Sequence, residues 1–204
     1  MTTKYGFSDV RDQLIKSLKG AYPTEWEVYQ AADVLGEDVF GSPKPHPNAV
    51  LNLFIAQNVR FALPFAAYRA SLGGFSALMS DKPGAVFSRH TLASIYGKGE
   101  IQRVMTQAAH TIAYRDLLLS VCSDGACVLN AGTKSMKRRM EALTKLYDVM
   151  IGEREGGALS TPSLGGLACA GCTKSIETSY VEWCRDCWKL LPATFSVAKR
   201  WDEV

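Results

Sequence analysis

Apolar residues recur three and four positions apart along most of the chain, and nowhere is the alternation of a strand sustained. Val10, Leu14 and Leu18 define a first helical face between Phe7 and Leu18, with Ser8 or Asp9 placed to cap it and Gly20 to end it. Thr24-Glu25-Trp26-Glu27 has the form of a capping box, in which a hydroxyl and a carboxylate serve the free amides of a helix start. Val28, Tyr29, Ala32 and Leu35 carry that second pattern to Gly36.

The Pro/Gly-dense run 41–47, GSPKPHP, predicts a surface loop, after which Pro47 opens another helix at the first-turn position that tolerates proline. Asn48 to Leu72 is rich in Ala, Leu and Phe on nearly all sides, which predicts one or two buried helices, bent or split near Pro64 and ended by Gly73-Gly74. Ser80 to Gly84 and Gly97 to Gly99 are expected to interrupt the middle of the chain. Ile101, Val104, Met105, Ala108 and Ile112 then form a helical stripe within 99–119.

A later helix is marked by Met136, Met140, Leu143, Leu146 and Met150 on one face, with Lys137, Arg138, Arg139 and Glu141 on a solvated one. The Gly/Ser-rich stretch 152–168 predicts a linker or long loop, and a last helical pattern runs from about Thr173 to Leu191, where Pro192 should stop it. The fold class is therefore mainly α, a helical array with a small cysteine-rich C-terminal part. Three segments are expected: a helical region 1–151, the linker 152–168, and a cysteine- and tryptophan-containing segment 169–204 packed back on the core. That core should contain Leu14, Leu18, Leu51, Phe54, Leu63, Ile101, Val104, Ile112, Leu143 and Leu146.

Length and composition add limits: 204 residues with 47% hydrophobic content suffice to bury a core without disulfides. A net charge of +3 from 23 basic and 20 acidic residues is too small an excess for a nucleic-acid footprint, so no nucleic-acid partner is expected. The first residues lack the apolar core and small-residue cleavage site of a secretory signal, and no run reaches membrane-span length. No membrane partner is expected, and the six cysteines should meet the reducing conditions of cytoplasm or nucleus, where paired cysteines more often hold metal or do redox work than form disulfides.

Cys169-Ala-Gly-Cys172 is the sharpest local signal, because a tight loop with a glycine can aim both sulfurs at one tetrahedral ion. Two pairs are candidates for the remaining ligands. Cys184-Arg-Asp-Cys187 places its sulfurs on one face of a helix, whereas Cys122-Ser-Asp-Gly-Ala-Cys127 is a loop whose Asp-Gly permits a sharp turn. Either set makes a structural zinc site.

Catalytic patterns are weak. Trp183-Cys184-Arg185-Asp186-Cys187 has the letters of a thioredoxin-type WCxxC, but it follows a polar helical pattern rather than a buried strand. His46, His90 and His110 sit in unrelated contexts, and the glycine pairs match neither a dinucleotide fingerprint nor a phosphate loop. Trp183, Trp188, Phe195 and Trp201 read as a C-terminal segment folding onto a small core.

His46 to Ser71, HPNAVLNLFIAQNVRFALPFAAYRAS, resembles the helical region that follows the BTB/POZ fold in the large group of mushroom-type fungal BTB-domain proteins. The tail resembles that group as well: CxxC, a polar helix with Trp, Leu-Pro with an aromatic, and a final Trp. These fall here on Cys169, Cys172, Trp188, Leu191, Pro192, Phe195 and Trp201. An earlier cysteine pair of the group maps onto Cys122 and Cys127, so the resemblance favours Cys122, Cys127, Cys169 and Cys172 as the zinc ligands. The BTB fold itself has no counterpart, and Tyr5 to Leu18 is expected to be its closing helix or the first one after it. Dimerisation and cullin-ligase docking belong to that fold and are not implied.

The resemblance implies a non-enzymatic protein-interaction module, a BTB-associated helical region with structural zinc, whose protein partner the sequence does not specify. A different class of function, a zinc-stabilised nucleic-acid or transcription-associated module, would draw on the cysteines and on Lys134, Lys137, Arg138 and Arg139. A third is thiol redox chemistry at a CxxC.

Overall fold

Three-and-four spacing becomes helix in the described residues. A computed structural model describes residues 8–35, 47–72, 89–116, 122, 124, 127, 129–130, 136–151, 159 and 168–204. Among these are seven α-helices and no strand: α1 (Ser8–Ala21), α2 (Trp26–Leu35), α3 (Pro47–Ala56), α4 (Leu63–Leu72), α5 (Arg89–His110), α6 (Met136–Ile151) and α7 (Ala170–Thr194). The fold is mainly α, as its periodicity predicts. The loop at 41–46, the breaks at Gly73-Gly74 and 80–84, Lys134, and the 152–167 linker apart from Leu159 lie outside the described residues.

The chain divides into two compact units, one of residues 1–98 with 189–204, the other of residues 99–188. In the first, an aromatic chain forms the centre. The Tyr22 ring meets Phe54 edge-on at 4.7 Å, Tyr29 meets Phe65 at 5.4 Å, and Phe65 stacks on Tyr68 at 6.1 Å. Such pairs add to the apolar burial of the rings themselves. Helix α3 packs against α4, with Val50, Leu51 and Phe54 buried on one side and Leu63, Phe65, Ala66, Ala67 and Ala70 on the other.

The division between α3 and α4 lies at 57–59 rather than at Pro64. Asn58 takes a left-handed φ of 53°, the Val59 amide donates to the Phe54 carbonyl at 2.9 Å, and the Asn58 amide donates to Ile55 at 3.2 Å. These two bonds are a Schellman cap, which ends a helix by satisfying its last carbonyls, and asparagine tolerates the left-handed position it needs. A short 3₁₀ turn, Arg60–Ala62, follows, and Pro64 then stands in the first turn of α4, where its missing amide hydrogen costs nothing.

Two further expectations are corrected at proline and glycine. Pro192 does not stop α7, which continues to Thr194. The helix ends two residues later in a second Schellman cap, with Ser196 at φ 57°, the Val197 amide on the Pro192 carbonyl at 2.9 Å and the Ser196 amide on Ala193 at 3.0 Å. Nor do Gly97 and Gly99 break the chain, since α5 runs through both. Gly97 is there for space: a β-carbon on it would stand 2.6 Å from Cδ1 of the buried Phe195 ring, whereas one on Gly99 would meet nothing within 4 Å.

Helix faces also turn away from the expected stripes. Leu14 is 56% exposed, and α1 turns inward along Ile15, Leu18 and Tyr22, of which only Tyr22 is fully buried. In α2, which starts at Trp26 with the Tyr29 amide on the Glu25 carbonyl, Trp26 and Tyr29 are buried while Val28 is exposed. Aromatic surface outweighs a single valine when a short helix chooses its face. Leu51, Phe54 and Leu63 are buried as expected.

In the second unit Ile101, Met105, Ala108, Ala109, Ile112 and Ala113 line one side of α5 and of the π-helical turn Thr111–Asp116 that prolongs it. Val104 is only half-buried, at the edge of this stripe. The small side chains of Ala108, Ala109 and Ala113, all fully buried, allow close helix approach. Helix α6 buries Leu143, Leu146 and Met150 together with Arg139, leaving Met136 and Met140 exposed. Its inward line is thus 139–143–146–150 rather than one beginning at Met136, so the expected basic face loses Arg139. Tyr114 of the π turn reaches α6, its ring 5.9 Å from Tyr147 and its hydroxyl 3.5 Å from that of Thr144. Leu159, within the stretch expected as linker, is buried. On α7, Ile176, Tyr180, Cys184, Cys187 and Trp188 are buried at helical spacing. No helix among the described residues is long and apolar enough to cross a membrane.

Candidate metal centre

In the second unit, Cys169 immediately precedes α7 and Cys172 lies in its first turn. The Thr173 amide donates to the Cys169 carbonyl at 2.9 Å, so Cys169 is the cap residue and CAGC opens a helix instead of closing a separate loop. The Cys172 amide, one of the donors left free at a helix start, points at the Cys169 sulfur. That hydrogen bond, followed by the contact with the Cys122 thiol, lowers the Cys169 thiol to about 7. The Cys172 thiol is driven the other way, first by burial and then by the thiols of Cys122 and Cys169.

Cys122 and Cys127 bring their sulfurs to the same place. The Asp124 carbonyl accepts from the Cys127 amide at 3.1 Å and from Asn130 Nδ2 at 2.8 Å, while the Asn130 amide returns to the Cys127 carbonyl at 3.0 Å. Asn130 thus holds the loop from its far side. No sequence motif marks it. Its signal is the short amide side chain three positions after a cysteine, a type that habitually bonds to nearby backbone.

Ligand atoms of Cys122, Cys127, Cys169 and Cys172 all lie within 4.8 Å of one another, and Cys122 Sγ is 3.6 Å from Cys169 Sγ. Tetrahedral coordination at a Zn–S distance of about 2.3 Å sets sulfurs about 3.8 Å apart, so the donor set fits one ion of that size. Cys127 is buried and the other three are half-buried. Four cysteines around one point can hold a metal ion, and a four-sulfur set leaves no ligand position open for a substrate.

Cys184 and Cys187 stand apart from this cluster. Both are buried in α7, and the Cys187 thiol donates to the thioether of Met105 at 3.5 Å. Burial, reinforced by the charge of Asp186, pushes Cys187 up to about 12, and Cys184, the position that attacks in a redox WCxxC, is 1% exposed, whereas a reactive thiol needs access. Lys137 and Arg138 are exposed whereas Arg139 is buried, so these three do not share a face. His110 is exposed with its ring 5.1 Å from Tyr114, and it belongs to no ligand cluster among the described residues. Compared with protein-family models, curated proteins and solved structures, the chain matches none.

Proposed function

We propose that the chain is a non-enzymatic protein-interaction module whose 99–188 unit is fastened by one structural zinc ion on Cys122, Cys127, Cys169 and Cys172. The observation that carries the zinc reading is the convergence of four sulfurs within 4.8 Å, from segments more than 40 positions apart in sequence. Ion binding there would tie Cys122 and Cys127 to the start of α7 and add its binding energy to folding. A closed four-thiolate site is the structural type of zinc centre, and its thiolates call for a reducing cytoplasm or nucleus.

The interaction role draws on the resemblance of 46–71 and of the tail to the helical region following a BTB fold. The partner is a protein. The inward turn of Arg139 weakens the nucleic-acid alternative, since few aligned positive charges release few counterions. The burial of Cys184, the attacking position of such a motif, likewise disfavours redox work at the second CxxC.

Element analysis of protein purified without chelator tests the zinc reading. One zinc per chain is expected; a visible sulfur-to-iron absorption would replace zinc by iron, and metal-free protein in which Cys122, Cys169 and Cys172 titrate freely would sink it. Salt-sensitive micromolar binding to DNA or RNA in an anisotropy titration would overturn the protein-interaction role in favour of the nucleic-acid module.

A further inference from the structure

The four sulfurs are not equally accessible, and the inequality selects a pair. Cys122 and Cys169 are half-exposed with their Sγ atoms 3.6 Å apart, while Cys127 is 5% exposed and Cys184 and Cys187 are 1% and 2% exposed. Cys172 is half-exposed as well, but its backbone is fixed inside the first turn of α7. Cys169, ahead of the helix, and Cys122 stand on backbone outside any helix. Closing 3.6 Å to a disulfide bond of about 2.05 Å needs a sulfur movement of about 1.6 Å, within the reach of a side-chain rotation.

We propose that Cys122 and Cys169 form an oxidisable pair, in which a hydroperoxide converts the metal-binding thiolates into a disulfide linking the same two segments. One thiolate attacks the peroxide; the O–O bond breaks, a sulfenic acid forms and the distal oxygen leaves as hydroxide, or as alkoxide from an organic peroxide. The second thiolate attacks the sulfenyl sulfur, the S–O bond breaks, and a second hydroxide departs. With hydrogen peroxide, two thiolates, one peroxide and two protons give one disulfide and two waters, the two electrons passing from sulfur to oxygen. Two of the four ligands are thereby withdrawn from the ion, which is lost. The release of metal rests on the zinc reading above; the disulfide does not.

Oxidation would then exchange a metal tether for a covalent one instead of freeing the ends, with residues 122 and 169 bound together in both states. The test treats the whole chain with one equivalent of hydrogen peroxide, blocks remaining thiols by alkylation, and maps disulfides by mass spectrometry of the digest. The expected product carries a Cys122–Cys169 link, two hydrogens lost, reversal by dithiothreitol, and zinc released to a chromophoric chelator in step with the link. Cys169→Ser should lose the link, whereas Cys187→Ser should retain it. Should the serine variants fail to fold, the wild-type map decides alone. A Cys169–Cys172 disulfide, first oxidation at Cys184 or Cys187, or only sulfinic products would overturn the pairing. A Cys122–Cys169 link formed by protein that never contained zinc would uphold the pair and defeat the zinc reading instead.

Discussion

The Phe195 ring fills the space that a side chain on Gly97 would need, so helix α5 carries a glycine in its interior for a packing reason. Gly97→Ala places a methyl 2.6 Å from Cδ1 and 3.0 Å from Cζ of a ring that is 1% exposed. Overpacking of this kind costs about 1–3 kcal/mol, more than the helix propensity of about 1 kcal/mol that alanine returns. Gly99→Ala, two positions on and in open space, gains that propensity without the clash. Urea midpoints should therefore move in opposite directions for the two variants. A rise for Gly97→Ala would mean that the ring yields freely.

Leu143 is 0% exposed in the second unit, and its truncation to alanine should lower stability by about 2–5 kcal/mol. Leu14→Ala, at 56% exposure, should stay within about 0.5 kcal/mol of wild type. Equal losses in chemical denaturation would show that α1 buries its Leu14 face after all.

The Asn130 side chain supports the candidate centre through backbone, donating to the Asp124 carbonyl. Asn130→Ala should leave one metal per chain but weaken its hold by about 10–100-fold, the usual effect of losing a group that orients ligands. Competition against a chelator of known affinity reads this directly. Unchanged competition would show that the turn needs no side-chain support.

Cys187 gives an alkaline signature. Its thiol goes from an ordinary 9.0 to about 12 in the folded chain, because burial disfavours the thiolate. The folded state holds this proton more tightly than the unfolded state, so the contribution to stability is complete below 9.0 and is lost as pH rises towards about 12. Denaturation midpoints of wild type and Cys187→Ala should therefore converge as pH climbs through that window. A constant gap would place the thiol in contact with water.

Periodicity made most of the helices legible, because three-and-four spacing of apolar residues has few other solutions. It was less informative about rotation. Leu14 and Met136 continue their stripes on paper, yet each lies one step off the buried line, which is chosen by Tyr22 in one case and by Leu143 and Leu146 in the other. Gly97 and Pro192 misled for a related reason: both usually break helices, and neither does when a ring must fit against α5 or when a helix has only one turn left to run. The cysteine cluster was half legible. Spacing pointed to Cys169 and Cys172, but nothing local distinguished Cys122 and Cys127 from Cys184 and Cys187, since only tertiary structure says which sulfurs face inward along α7.

The unit built from residues 1–98 and 189–204 is discontinuous, whereas 99–188 is an uninterrupted run. Synthesis proceeds from the N-terminus, so the continuous unit has all its residues available while the discontinuous one still lacks its last sixteen. Phe195 emerges 98 positions after Gly97, a delay of roughly 5–20 seconds at ordinary elongation rates. Until then nothing in the sequence already made can fill the notch at Gly97, so any α5 formed earlier carries it open.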